Sequence, residues 1–264
     1  MGQTATNGAA TAIGKTLAVL EALAEHHRLA DIAQRTGLPK STVHRILKAL
    51  IEHGYARAGG DGTYLAGPRI LSIAGQILSG YDYTRQAGPA LRALQARTGF
   101  TVHFALLTGA EAIYLDKLEA GDQPYRMASR IGMRLALHST GIGKAILAHL
   151  PEEEAEHLLA EAGMARRTPN TITTWAAMKA ELERVRARGF AVDDEENEEN
   201  TRCVAAAVFD HQGRVVGGVS VSTLTFVLSR ADAEALGPEV AATAREISLA
   251  LGAPADRLPQ PAAA

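Results

Sequence analysis

Cysteine is almost missing from this 264-residue chain: Cys203 stands alone. One thiol excludes an internal disulfide framework and a cysteine-built zinc site, and it suits a reducing compartment. Long apolar runs are missing too; none approaches the ~20 residues of a membrane span, so no membrane contact is expected. The opening MGQTATNGAATA lacks the charged-then-apolar order of a signal peptide and reads as a disordered arm, residues 1–12. The expected location is therefore cytoplasmic. There is no internal repeat, nucleophile elbow, P-loop or metal motif. Six carboxylates crowd the seven positions from Asp193 to Glu199, but their spacing is not that of a calcium loop. They read as a solvated loop with Asp193 alone turned inward. No cofactor, metal or catalytic residue is expected. What remains, 47% hydrophobic and 21% charged, is ordinary for a globular protein long enough for two domains.

The most informative stretch is LADIAQRTGLPKSTVHRILKALIEHGYA, Leu29 to Ala56. Ile32, Ala33, Val43, Ile46, Leu47, Leu50 and Ile51 recur at helical spacing, so two helices each bury one face. Gly37 supplies the sharp turn, Leu38 plugs the angle, and Pro39 keeps Leu38 out of the helical region. Lys40 or Ser41 opens the second helix. Two helices joined through a glycine turn form a helix-turn-helix, whose second helix enters the DNA major groove. Lys40, Ser41, Thr42, His44, Arg45 and Lys48 lie near its start and off its apolar face. Hydroxyls and amides there suit phosphate oxygens. Arg45 can fork onto guanine O6 and N7, Thr42 or His44 can reach base edges, and Lys48 suits phosphate. Taken singly, each has a plainer role, Ser41 as a helix cap and the cations as a solvated face, but turn, spacing and charge together favour DNA contact.

The flanks point the same way. Ile13, Leu17, Leu20, Leu23 and Ala24 mark a first helix from about Gly14 to Glu25, and Gly59-Gly60-Asp61-Gly62 punctuates a hairpin, a wing with Arg57 at its base. Residues 1–78 hold eight Lys/Arg and five Asp/Glu, a basic end on a chain of net charge −2. The expected head is 13–66, followed by a linker helix over 67–80 (Ile70, Leu71, Ile73, Ala74, Ile77, Leu78) whose apolar positions can pair with a second subunit. A helix over Arg85–Arg97 follows. FTVHFALL, AIYLDKLE, YRMAS, RLALH, GFAVDDE, RCVAAAVFD and VVGGVSVST read as strands, with helices at KAILAHL, after Pro151, over Trp175–Arg188, and from Ser229 to about Leu251. Without regular βαβ alternation, this predicts an α+β body with a mostly antiparallel sheet over 81–252, and a flexible Pro/Ala tail over 253–264.

HSTGIGKAILAHLP and GFAVDDEENEENTRCVAAAVFDHQGRVVGGVSVS resemble the IclR family of bacterial transcription regulators, a likeness running from about residue 13 to 252. YRMASRIGMRLALHSTGIGKAILA and RRTPNTIT are most similar to its ketodeoxygluconate-repressor (KdgR-like) branch. The resemblance implies a winged helix-turn-helix, a GAF-like effector-binding domain, and a homodimer or homotetramer on a palindromic operator in double-stranded DNA. It also implies a pocket for a small organic acid, a sugar acid such as ketodeoxygluconate in that branch. The family's pocket falls on Gly141 and Ile142 (backbone amides), Asp193, Cys203, Ser220 and Ser222 (polar contacts), and Met127 and Leu135 (apolar wall). Thr201 stands where a leucine often sits, which favours a hydroxylated acid.

Plainer roles stay open for each: Ser220 and Ser222 at strand ends, Cys203 as a small buried hydrophobe, Gly141 and Gly143 for packing. Arg126 and Arg130 fit a carboxylate clamp or surface solvation equally. His103 and His138 read as satisfied polar groups rather than metal ligands. The alternative function is an enzyme or redox sensor with a DNA-binding head, using Cys203 with Asp193 and one of those histidines.

Overall fold

The computed structural model describes residues 11–80, 82–119 and 126–259, with the side chains of 77–80 and 82 excepted. The chain divides into two compact units, Met1–Asp82 and Tyr83–Ala264.

The first unit contains α1 (Ala12–Leu23), α2 (Leu29–Thr36), α3 (Lys40–Glu52), β1 (Ala56–Ala58), β2 (Tyr64–Ala66) and α4 (Pro68–Gly80). Helix α1 starts two residues before Gly14 because Thr11 caps it, its hydroxyl accepting from the Gly14 amide at 3.0 Å. Ala12 is therefore helical, not part of a loose arm; the rest of that expectation, residues 1–10, lies outside the described residues. Val19, Leu23, Ile32, Val43, Leu47 and Leu50 interlock in one core, with Leu38 packed against it from the turn. Each such side chain contributes roughly 1.5–3 kcal/mol on burial. Gly37 ends α2 at φ +67°, a left-handed conformation that costs glycine nothing. Strands β1 and β2 pair antiparallel from Ala56↔Ala66 to Ala58↔Tyr64, giving the wing. In α4, Leu71 is 76% exposed while Ile70, Ile73 and Ala74 are half-buried or nearly so. The side chains of Ile77 and Leu78, expected on the same face, lie outside the described residues.

The second unit is built on a six-stranded antiparallel sheet. Its strands are β3 (Thr101–Thr108), β4 (Glu111–Leu118), β5 (Arg134–Leu135), β6 (Ala191–Asp194), β7 (Thr201–Phe209) and β8 (Val215–Leu224), in the order β5-β4-β3-β8-β7-β6. Helices α5 (Asp82–Thr98) and α9 (Arg230–Ala250) cover one face. Helices α6 (Gly141–Leu147), α7 (Glu152–Ala162) and α8 (Trp175–Arg188) cover the other. The two-residue side-chain period sorts each strand. Val204, Ala206 and Val208 enter the α5/α9 core, and Ala205, Ala207 and Phe209 the α6/α8 core. Helix α6 comes unusually close: a Cβ on Gly143 would meet the Leu137 backbone at 2.3 Å.

Further expectations fail. Of the RLALH segment only Arg134 and Leu135 form a strand, and residues 136–138 turn toward α6. Residues 126–129 of the YRMAS segment are not a strand; Lys117 Nζ holds them instead, donating to the carbonyls of Met127 (2.8 Å) and Ser129 (2.7 Å). Tyr125 lies outside the described residues. The tail is not loose over its described part, because Ala253 and Leu258 bury in the α6/α8 core; residues 260–264 lie outside the description. Asp193 is not the only acid of its run to turn inward: Glu196 is also buried. Among the described residues no helix is long and apolar enough to cross a membrane.

Candidate functional site

Helix α3 divides into two faces. Val43, Ile46, Leu47 and Leu50 point into the core. Lys40, Ser41, His44, Arg45 and Lys48 are exposed, Thr42 is half-buried, and Arg57 is exposed on the wing. Among the described residues no hydrogen bond or ion pair engages these seven side chains. Pro39 occupies the N-cap without a side-chain bond, so Ser41 is not a cap. The first α-helical bond at this end is Val43 N to Pro39 O, at 3.1 Å, so the amides of Lys40 and Ser41 point outward with no acceptor. Four cations, two hydroxyls, an imidazole and a pair of amides are thus held on α3 and the wing without an ion pair or acceptor among the described residues.

The second unit brings together all eight residues expected at the pocket, Met127, Leu135, Gly141, Ile142, Asp193, Cys203, Ser220 and Ser222, around one cavity of ≈ 80 Å³. Strand register explains the floor. Asp193 pairs with Cys203, Cys203 with Ser222, and His103 with Ser220, so four strands place polar groups side by side on one face. At the edge, Thr140 caps α6, accepting from Gly143 N at 3.1 Å. The amides of Gly141 and Ile142 have no protein acceptor among the described residues.

The electrostatics follow from burial. Asp193 is 2% exposed, and its Oδ1 accepts from the amides of Glu196 (2.8 Å) and Asn197 (3.3 Å). Burial raises its pKa to about 7, against the pull of Lys144 and with a push from Glu196. Lys144 is fully buried one turn into α6; it pairs with Glu196, donates to Val192 O at 2.7 Å, and lies 3.7 Å from Glu181. Burial likewise holds Glu196 above the usual carboxylate range.

His103, absent from the expected pocket residues, sits at its centre. Its Nε2 shares a 2.7 Å hydrogen bond with Ser129 Oγ, and its Nδ1 lies 3.3 Å from Ser222 Oγ. Burial, with the nearby Lys117 charge, lowers its pKa to about 3, so the ring is neutral. Tyr114 stacks against it at 4.9 Å, its phenol pKa raised by burial. The Cys203 thiol is also pushed up, first by burial and then by Asp193. A thiol held protonated and an imidazole of lowered basicity are poorly suited to act as nucleophile and base.

Some expected groups fall elsewhere. Arg126 and Arg130 are exposed and off the cavity; the arginines that line it are Arg134, paired with Glu111 at 3.1 Å, and Arg167, exposed and unpaired among the described residues. His138 is tied to Ala165 O at 2.9 Å, away from the lining. Ser129, Asn197 and Thr140 complete the polar wall. Period-two placement of His103 on an otherwise apolar strand was the one sequence signal for these missed groups. Among the described residues no cluster of three or more His, Cys, Asp or Glu can hold a metal.

Comparison with known proteins covers both units. Residues 12–59 match the IclR helix-turn-helix domain, and residues 75–249 match the C-terminal region of the bacterial transcriptional regulator IclR. The transcriptional regulator XynR of Escherichia coli is 36% identical over 229 residues, 86% of this chain and 90% of its own. The transcriptional regulator KdgR of Escherichia coli is 34% identical over 243 residues, 90% of this chain and 91% of its own. The KdgR branch is thus one similar branch among several. The crystal structure of the Thermotoga maritima IclR superposes with a TM-score of 0.73 at 34% identity, covering 91% of this chain and 98% of that one.

Proposed function

The chain belongs to the IclR family of transcription regulators, and from that premise we propose a cytoplasmic repressor whose grip on its operator is switched by a small organic acid. Residues 13–66 bind DNA, 67–80 form the linker helix, and 81–252 hold the effector. Arg45 reads a base edge; Lys40, Ser41, Thr42, Lys48 and Arg57 hold phosphates, and His44 faces the groove. A homodimer or homotetramer presents two α3 helices to a palindromic site, with half-sites roughly 34 Å apart. The effector switches the protein because it prefers one arrangement of the subunits; equal affinity for both would shift nothing.

The observation that carries the effector reading is the row Asp193–Cys203–Ser222 across β6, β7 and β8, beside the free amides of Gly141 and Ile142 and opposite a neutral His103. Amide N–H groups donate to a carboxylate, and hydroxyls and a neutral imidazole can each donate to or accept from ligand hydroxyls. Met127 and Leu135 supply the apolar wall. With Thr201, Ser129 and Asn197 also lining it, the cavity suits a hydroxylated acid of the sugar-acid class. At ≈ 80 Å³ it accommodates roughly five to eight water-sized groups, a compact acid.

Two substitutions separate the halves. Arg45→Ala is expected to weaken operator binding by ~1–3 kcal/mol in a mobility shift and leave acid affinity by calorimetry untouched. Asp193→Ala is expected to do the reverse. Normal operator binding by Arg45→Ala contradicts the recognition-helix assignment. Unchanged binding of glycerate and ketodeoxygluconate by Asp193→Ala, or no binding by the parent, contradicts the pocket assignment.

A further inference from the structure

A second cavity, sharing no lining residue with the first, opens where the sheet is incomplete. Pairing of β6 with β7 stops at Ala191↔Ala205, so Ala206 to Phe209 have no strand beside them on that side. Helix α9 and the C-terminal segment cover the edge only in part. Ser248 Oγ accepts from the Phe209 amide at 3.0 Å, and Arg245 Nη2 ties down the Ala255 carbonyl at 3.1 Å. Between them lies a space of ≈ 260 Å³, walled by Ala206, Phe209, Leu249, Leu258 and Pro259.

One polar group is held against that space. His149, just past the end of α6, stands edge-on to Phe209, ring centres 5.2 Å apart at 76°. Burial, aided by the Arg186 charge, lowers its pKa to about 4, so the ring is neutral at physiological pH. Neither ring nitrogen has a hydrogen-bond partner among the described residues. A neutral imidazole offers one donor and one acceptor, and neither His149 nitrogen is a buried, unpaired atom, so both are open to a ligand hydroxyl in place of water. Charge at the rim is balanced: Arg245 is spent on backbone carbonyls and Glu246 stands beside it.

We propose that this cavity is a second small-molecule site, for a neutral one-ring aromatic alcohol of the phenol class. The ring lies against Phe209, Leu249 and Leu258, and the hydroxyl, both donor and acceptor, meets His149. A cavity of about 150 Å³ lined by aliphatic and aromatic side chains takes benzene, so ≈ 260 Å³ admits one ring with its hydroxyl and small substituents. The balanced rim favours an uncharged ligand, whereas the first cavity suits an anion. The site therefore does not depend on the acid-binding reading.

The test is the fluorine NMR signal of 4-fluorophenol titrated into the full-length protein. Saturable broadening at one site per chain is expected. Ala242→Trp, at an exposed rim position, plugs the cavity and should weaken binding at least tenfold; His149→Leu, which removes the polar partner, should do the same. Met127→Trp, which obstructs the first cavity, should leave fluorophenol binding unchanged. Thermal melts check each fold, and if His149→Leu does not fold, Ala242→Trp decides. The proposal is overturned by the absence of saturable binding, by parent-like affinity in Ala242→Trp, or by loss of binding in Met127→Trp. It is also overturned if Ala242→Trp changes the sedimenting mass, since a second copy of the chain then occupies the rim.

Discussion

Replacing Asp193 by Asn asks whether the effector enters with a proton. Asp193 is buried on the cavity floor, its Oδ1 bonded to two amides and its neighbours Lys144 and Glu196 pulling in opposite directions. Burial leads, and places its pKa at about 7. A ligand carboxylate about 4 Å from a second carboxylate, at an effective dielectric of about 20, is opposed by about 4 kcal/mol. The complex therefore holds Asp193 protonated. Anion binding then takes up about a tenth of a proton at pH 6, about half at pH 7 and about nine tenths at pH 8. Above pH 7 the affinity falls toward tenfold per pH unit, ~1.4 kcal/mol. Calorimetry of glycerate or ketodeoxygluconate in buffers of different ionisation enthalpy reads that uptake directly. Asn keeps the Oδ1 acceptor and cannot titrate, so Asp193→Asn should bind with no uptake and a flat pH profile. The same raised pKa acts on folding. Between the ordinary 3.8 and about 7 the native state holds a proton that the unfolded chain has released. The contribution of Asp193 to stability therefore declines as pH rises through that window and levels above it; Glu196 acts in the same direction and the buried His103 and His149 in the opposite one, so the difference between the parent and Asp193→Asn isolates it. Tight binding at pH 8 without proton uptake, or a parent-minus-Asn stability difference that stays constant between pH 4 and pH 7, refutes the reasoning.

Lys48→Ala should weaken all duplexes about equally and reduce the salt dependence of binding by about one ion, measured by anisotropy across salt concentrations; a change in sequence preference contradicts a phosphate role. Lys144→Met strands the buried Glu196 charge and should cost ~3–5 kcal/mol in urea unfolding, much of it recovered by adding Glu196→Leu; a loss under ~1 kcal/mol contradicts the buried-pair reading. The Cys203 thiol should resist iodoacetamide at pH 7.4 until the protein unfolds, because burial and Asp193 keep it protonated. Rapid alkylation of the folded protein, together with loss of the ligand response in Cys203→Ser, favours the redox-sensor alternative.

The head was legible because its signals are local and agree: a glycine at the left-handed turn between α2 and α3, a proline before α3, and apolar spacing that leaves the cations outside. The sheet was legible where short β-branched and small-residue runs end at turn residues, as in β7 and β8, which are buried on both faces. The pocket was legible through family likeness on β6, β7 and β8, where register puts Asp193, Cys203 and Ser222 in a row. Long-range partners were not legible. The 126–129 segment carries strand-like residues, yet Lys117 and His103 hold it as a loop through groups about ten and 26 positions away. Glu196 looks like one acid in a solvated run until Lys144, 52 positions earlier, is placed beside it. The Pro/Ala composition of the tail hides the one leucine, Leu258, that anchors it. His103 was passed over because a lone histidine on an apolar strand says nothing of the two serines that flank it.

The most direct test is fluorescence anisotropy of the full-length protein on its own upstream duplex and on a scrambled duplex of equal length, at low and moderate salt, with and without small hydroxy acids. Tighter binding to the upstream duplex is expected at both salts, a preference that one acid of the panel changes at least tenfold while being recovered unaltered. Equal indifference to both duplexes at low salt, or a preference that no acid alters, contradicts it.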